Sequence, residues 1–237
     1  MSTRQILDSG LPLRVAGPPD APRAVIVLQE AFGVNAHIDD VVARFAAKGF
    51  YAVAPELYHR DGSPIVAYDD FGQAMTLLGN LTREGLTADL TDTATFLAHA
   101  GYAATNTGIV GYCMGGTVAT FAATLGLVGA SASFYGGGVL NGRFGLDPVV
   151  DMVASAAAPW IGLYGTLDTG IPSDHVEALR NAISENDFAG ENELFYYDGA
   201  DHGFHCDDRV NVFNAEAAAQ AATETYRFFD EHLEDKL

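Results

Sequence analysis

The chain reads as an α/β protein with a mostly parallel sheet covered by helices on both faces. Three observations predict this. Short apolar runs rich in β-branched residues recur from Arg23 onward. Segments with apolar residues at helical spacing separate them. The two kinds alternate along the chain instead of grouping, which is the signature of strands joined through crossover helices. In such a sheet the loops at the carboxyl ends of the strands carry the binding and catalytic groups.

Arg23 to Leu28 predicts a buried strand, followed by the loop Gln29 to Asn35. Ile38, Val41, Val42 and Phe45 share a helical face, and Gly49 stops that helix. Phe50 to Ala54 is the next strand, closed by Pro55. Glu56 to Leu86 is poorly patterned, with a short helix expected over Asp70 to Leu78. Thr87 to Ala100 predicts an amphipathic helix ended by Gly101. Thr107 to Val110 is a strand, and Gly116 to Ala123 a helix of small residues. A strand at Ala130 to Tyr135, the Gly136 to Gly138 loop and a helix near Val149 follow. Trp160 to Tyr164 and Glu193 to Tyr197 are the last strands. Helices are expected over Ser173 to Ser184, with Ser173 as N-cap, and over Asn214 to Leu233.

At 237 residues, with 14 Phe and 10 Tyr, the chain can bury one large core, and a single domain over residues 1–237 is expected. Thirty-one acidic residues against 12 basic give a net charge of −19, which opposes binding to nucleic acid or anionic lipid. No run is long and apolar enough for a membrane span, and the first residues lack the apolar core of a secretory signal. The two cysteines, Cys113 and Cys206, then predict reduced thiols in a cytoplasm. The expected form is a monomer or small homo-oligomer.

Gly111-Tyr112-Cys113-Met114-Gly115 follows a predicted strand and precedes a predicted helix. Strand, sharp turn and helix around G-x-(nucleophile)-x-G form the elbow on which α/β-hydrolases expose a nucleophile. A thiol stands here in the serine's place. The competing reading of Cys113 is a buried structural thiol.

A thiol is mostly protonated at neutral pH, so catalysis needs a base and a group to orient it. Asp168 is the only acid in the loop Gly165 to Pro172, after the Trp160 strand. His202 lies in the loop after the Glu193 strand. The two follow Cys113 in the order nucleophile, acid, histidine, at intervals of 55 and 34 residues. His205 is a rival base and Asp201 a rival acid; His202 is preferred because it lies nearer the strand end and precedes a glycine. His202, His205, Cys206, Asp207 and Asp208 lack a second ligand group at zinc spacing, so no metal is expected.

Five segments in this order resemble the dienelactone hydrolase (carboxymethylenebutenolidase) family of α/β-hydrolases. They are Gln29 to Asn35, Ala54 to Tyr58, Gly111 to Gly116, Gly165 to Asp168 and Asp201 to Phe204. The resemblance runs from about Arg23 to the terminal helix. It implies an α/β-hydrolase fold and a triad with Cys113 as nucleophile, His202 as base and Asp168 as its orienter, without a cofactor. It also implies that Glu30 contacts the resting thiol and takes its proton when substrate arrives. Ala31 and Met114 would supply the backbone N–H groups of an oxyanion hole.

The implied reaction is hydrolysis of a small carboxylic ester or lactone through an acyl-cysteine. The family's named enzyme holds a substrate carboxylate with arginines, but Asp61 to Leu81 contains none, and the first arginine after His202 is Arg209. Arg209 is expected to pair with Asp207 or Asp208. A neutral substrate is therefore expected in place of dienelactone. Phe32, Tyr135 and Phe204 are candidate substrate contacts, with core packing as the alternative for each. Rival functions are a thioesterase or acyltransferase on the same triad, a non-catalytic binding module, and a redox sensor pairing Cys113 with Cys206.

Overall fold

The computed structural model describes residues 2–188 and 190–236. Six strands run parallel: β3 (Arg23–Leu28), β4 (Phe50–Pro55), β5 (Thr107–Tyr112), β6 (Ala130–Phe134), β7 (Trp160–Gly165) and β8 (Glu193–Tyr197). Ahead of them lie β1 (Thr3–Ile6) and β2 (Pro12–Ala16), an antiparallel hairpin whose second strand pairs antiparallel with β4. The eight strands form one sheet in the order β1-β2-β4-β3-β5-β6-β7-β8. The hairpin has no counterpart in the sequence reading. β1 is exposed at every residue, so it carries no buried alternation to betray it.

The helices are α1 (Ala36–Ala47), α2 (Phe71–Asn80), α3 (Arg83–His99), α4 (Met114–Thr124), α5 (Val149–Ala154), α6 (Ser173–Glu185) and α7 (Ala215–His232). Phe45 of α1 packs on Tyr226 and Phe229 of α7, which joins those helices in one layer. Helices α3 to α6 pack against one another in succession to form another. No helix among the described residues is long and apolar enough to cross a membrane.

Helix starts follow their caps. Asn35 and Asp70 each accept from the backbone N–H three residues on, which begins α1 and α2 where the spacing predicts. α3 starts earlier than the expected Thr87, because the Thr82 hydroxyl accepts from Gly85 N at 3.1 Å and opens the first turn. Ser173 is not an N-cap: Pro172 holds that place with its fixed φ, and no side chain caps α6.

Glycine shapes the sheet where helices press on it. At Gly108 of β5 an added methyl carbon would lie 3.1 Å from Phe229 and Leu233, so α7 seats directly on the strand. The segment after α7 is fastened as well. Arg23 at the start of β3 bonds Asp230 and Asp235 at 2.6 and 2.8 Å, and Lys236 Nζ donates to Pro19 O at 2.9 Å.

Candidate active site

β5 ends at Tyr112 and α4 begins at Met114, which leaves Cys113 alone on the turn. Its φ of +56° and ψ of −117° are strained for a residue with a side chain. The chain can turn so sharply because of the glycines around it. A methyl group at Gly111 would overlap Gly115 O, and one at Gly115 would sit 2.5 Å from Gln29 O. The elbow is pinned by Cys113 N donating to Phe134 O at 3.0 Å and Gly116 N donating to Cys113 O at 3.0 Å. The thiol is half-buried and free, so the structure does not bury Cys113 as a core thiol.

Asp168 follows β7 and His202 follows β8, at the same end of the sheet. His202 Nδ1 lies 2.7 Å from Asp168 Oδ2, and the Asp168 carboxylate is buried. Asp168 Oδ1 accepts from Gly170 N at 2.9 Å, which fixes the carboxylate's plane. With Nδ1 engaged, Nε2 is the nitrogen left for the sulfur. Burial opposes a charged imidazole, yet the charge Cys113 carries once ionised and the hydrogen bonds with Asp168 and Cys113 outweigh it, and His202 is raised well above the usual range.

The rivals of both residues are occupied elsewhere. Asp201 Oδ1 accepts from the His202 backbone N–H at 2.7 Å. His205 is buried and stacked on Tyr112, 4.7 Å between ring centroids. Burial first, then the positive neighbours His37 and Arg44, lower its titration to about 3. Among the described residues no cluster of three or more His, Cys, Asp or Glu side chains could hold a metal ion.

Glu30, in the loop after β3, is 1% exposed. Its Oε1 accepts from the Tyr135 hydroxyl at 3.1 Å, while Oε2 is buried without a partner, so the carboxylate makes no hydrogen bond to the Cys113 thiol, the contact the resemblance implies. Among the described residues no cation pairs with it. The Ala31 and Met114 N–H groups have no acceptor among the described residues, although both residues are buried. Unpaired backbone donors of this kind are what an oxyanion would take.

Phe32 packs edge-on against Tyr68 at 4.8 Å and near Phe71 at 6.2 Å. Tyr135 is fully buried, its ring 5.1 Å from His202, and its hydroxyl serves Glu30. Phe204 is 0% exposed among Phe134, Tyr135 and Tyr197, the core alternative, and leaves no surface for a ligand. Arg209 does not pair with Asp207 or Asp208. Asp207 is taken by Arg44 and His37, while the Arg209 guanidinium lies over the rings of Phe32 and Tyr68, 5.4 and 5.9 Å from their centroids. It also touches the backbone beside His202, where it fills the space a side chain at Gly203 would need.

Two supporting residues escape a reading of single residues. The Tyr58 hydroxyl donates to Ala31 O at 3.2 Å and so fixes the peptide after Ala31. The Tyr68 hydroxyl lies 3.4 Å from the Cys206 thiol and accepts from Asn35 at 3.0 Å. Burial, then the charge of Glu30, raises Cys206 to about 11, so this second thiol stays protonated. Tyr58 closes the Ala54 to Tyr58 segment, which was its only signal in the sequence.

Residues 11–233 match the model of the dienelactone hydrolase family. A Synechocystis protein named "putative carboxymethylenebutenolidase" is 34% identical over 244 residues, covering 93% of each chain. The carboxymethylenebutenolidase of Pseudomonas putida is 29% identical over 195 residues, covering 80% of this chain and 78% of its own. Among solved structures, a Klebsiella pneumoniae protein titled a "putative dienelactone hydrolase" superposes with a TM-score of 0.85 at 31% identity, over 98% of this chain and 99% of that one. With sheet order, elbow and family match in agreement, the chain belongs to the dienelactone hydrolase family and through it to the α/β-hydrolases.

Proposed function

We propose that the protein is a cysteine-dependent hydrolase of a small carboxylic ester or lactone, with Cys113, His202 and Asp168 as its triad. The observation that carries this reading is the 2.7 Å Asp168–His202 bond beside a strained, accessible Cys113. When substrate arrives Glu30 accepts the thiol proton, leaving a thiolate beside the His202 imidazolium. The thiolate attacks the carbonyl carbon, and the oxyanion takes the N–H groups of Ala31 and Met114. As the C–O bond breaks, His202 gives its proton to the departing alkoxide. The neutral His202 then takes a proton from water, whose oxygen attacks the acyl-cysteine. The acid product leaves, and Glu30 returns its proton to the sulfur.

The scheme needs no cofactor, and the free thiols of Cys113 and Cys206 support a reducing, cytoplasmic setting. It is tested with an activated aryl ester. Cys113→Ala abolishes turnover and leaves thermal unfolding unchanged; turnover retained by that variant, or transfer to an added thiol outrunning hydrolysis, defeats the proposal.

The absence of arginine from Asp61 to Leu81 and the net charge of −19 support a neutral substrate. A carboxylate-bearing substrate is the second reading, favoured by Arg209, which has no carboxylate partner among the described residues. Esters matched in size but differing in charge separate the two. A neutral preference that Arg209→Gln leaves unchanged supports the first; an anionic preference that Arg209→Gln removes supports the second.

A further inference from the structure

A cavity of about 190 Å³ opens beside the β1–β2 hairpin, and none of Cys113, Asp168 or His202 lines it. Arg4 and Arg14 do, and they are direct cross-strand partners. Like charges in that position repel, so the hairpin needs a counter-charge. Glu56 supplies one. Arg4 Nε and Nη2 each donate to its carboxylate at 2.8 Å. Arg14 Nε lies 3.3 Å from Glu56 Oε1 but does not point its hydrogen there, and this nitrogen is buried without an acceptor.

Glu56 stays ionised. Burial pushes its carboxyl up, but the bonds from Arg4 and Ser63 and the charges of both arginines bring it below the usual range. Two guanidinium groups thus face one carboxylate, and the cluster keeps one positive charge in a chain of net charge −19. The unused donors are specific. Neither the terminal nitrogens of Arg14 nor Arg4 Nη1 has a hydrogen-bond partner among the described residues. Gln29 and Gly33, on either side of Glu30 to Phe32, form another wall of the cavity.

We propose that this cavity binds a small oxyanion, a carboxylate or a phosphate, on the free N–H groups of Arg14 and Arg4. A single negative charge neutralises the cluster, and guanidinium N–H groups bond the oxygens of either anion directly. The ligand rests against the two ends of the loop that carries Glu30 and Ala31, outside the space around Cys113.

Thermal unfolding of the full chain is followed against sodium acetate, sodium phosphate and sodium chloride at one ionic strength, since screening alone acts on so acidic a protein. Acetate or phosphate raises the melting temperature to a plateau, and chloride does not. A plateau with acetate alone identifies a carboxylate site, and one with phosphate alone a phosphate site. Cys113→Ala keeps the effect. Arg14→Gln raises the half-saturating concentration by about tenfold or more, as loss of a charge-assisted bond requires. Arg4→Gln, on the exposed first strand, serves in its place if Arg14→Gln does not fold. An equal rise with chloride, or a plateau unmoved in the folded variant, overturns the proposal.

Discussion

The Tyr135 hydroxyl donates to Glu30 Oε1 at 3.1 Å, a bond from the end of β6 to the loop after β3. β5 lies between those two strands in the sheet, so the bond passes over the strand that ends at Cys113. It is the only hydrogen bond made by the Glu30 carboxylate among the described residues. In the proposed scheme Tyr135 is thereby a positioning residue for Glu30. Its own backbone, at φ +40°, is another strained point beside the site.

Tyr135→Phe removes that bond and leaves both Glu30 oxygens without a donor. A hydrogen bond to a charged group contributes about 1.5–3 kcal/mol, so kcat should fall by roughly tenfold or more with little change in KM. The rate of Cys113 alkylation measured against pH should shift as well. An unchanged alkylation profile would mean that Tyr135 acts only in packing.

Asp168→Asn should lower kcat/KM on an aryl ester by about 10²–10⁴-fold with the fold intact, because the imidazole loses its orienting carboxylate. The sulfur's charge once Cys113 ionises, with the hydrogen bonds to Asp168 and Cys113, holds His202 in its protonated form. In Cys113→Ala, NMR titration should therefore find His202 taking its proton at a lower pH than in the unmodified protein. A titration that stays put would separate the two side chains.

Gly115→Ala places a carbon 2.5 Å from Gln29 O and 2.7 Å from Leu28 O, and both neighbours are backbone at the end of β3. Neither can rotate away as a side chain would. Overpacking of this kind costs about 1–3 kcal/mol. The expected result is a lower denaturant midpoint together with lost activity, since the displaced backbone leads into Glu30 and Ala31.

His205 has a pH signature of its own. It titrates near 3 in the native protein against an ordinary 6.5. Between those values the unfolded chain binds more protons, so stability declines as pH falls from about 6.5 towards 3. Below that window His205 contributes no further change. His205→Phe keeps a ring on Tyr112 and cannot titrate, so its melting temperature should drop less than that of the unmodified protein between pH 7 and pH 4.5. Equal drops would show that other groups govern the acid limb.

Much of the candidate site was legible because its residues are punctuated by glycine and strand ends. Cys113 stands between Gly111 and Gly115, and Asp168 and His202 each follow an apolar run by a few residues. The relation between Glu30 and Tyr135 was not legible. The two are 105 residues apart, and only the sheet order brings them together. The β1–β2 hairpin escaped for a different reason: Thr3 to Ile6 buries nothing, so pairing alone makes it a strand. The expected Arg209 ion pair failed because Asp207 is claimed by Arg44 and His37 of α1, far away in sequence. Nearness along the chain was a poor guide to charge pairing.

Every residue of the proposed triad has been synthesised once the ribosome passes His202, yet α7 and the segment behind it come later. Phe229 and Leu233 close over Gly108, and Asp230 and Asp235 grip Arg23. A nascent chain halted just after His202 would thus expose the underside of the strands that lead to Glu30 and Cys113. Removing residues 215–236 by proteolysis should silence the protein as surely as losing its thiol, and leave it prone to aggregate.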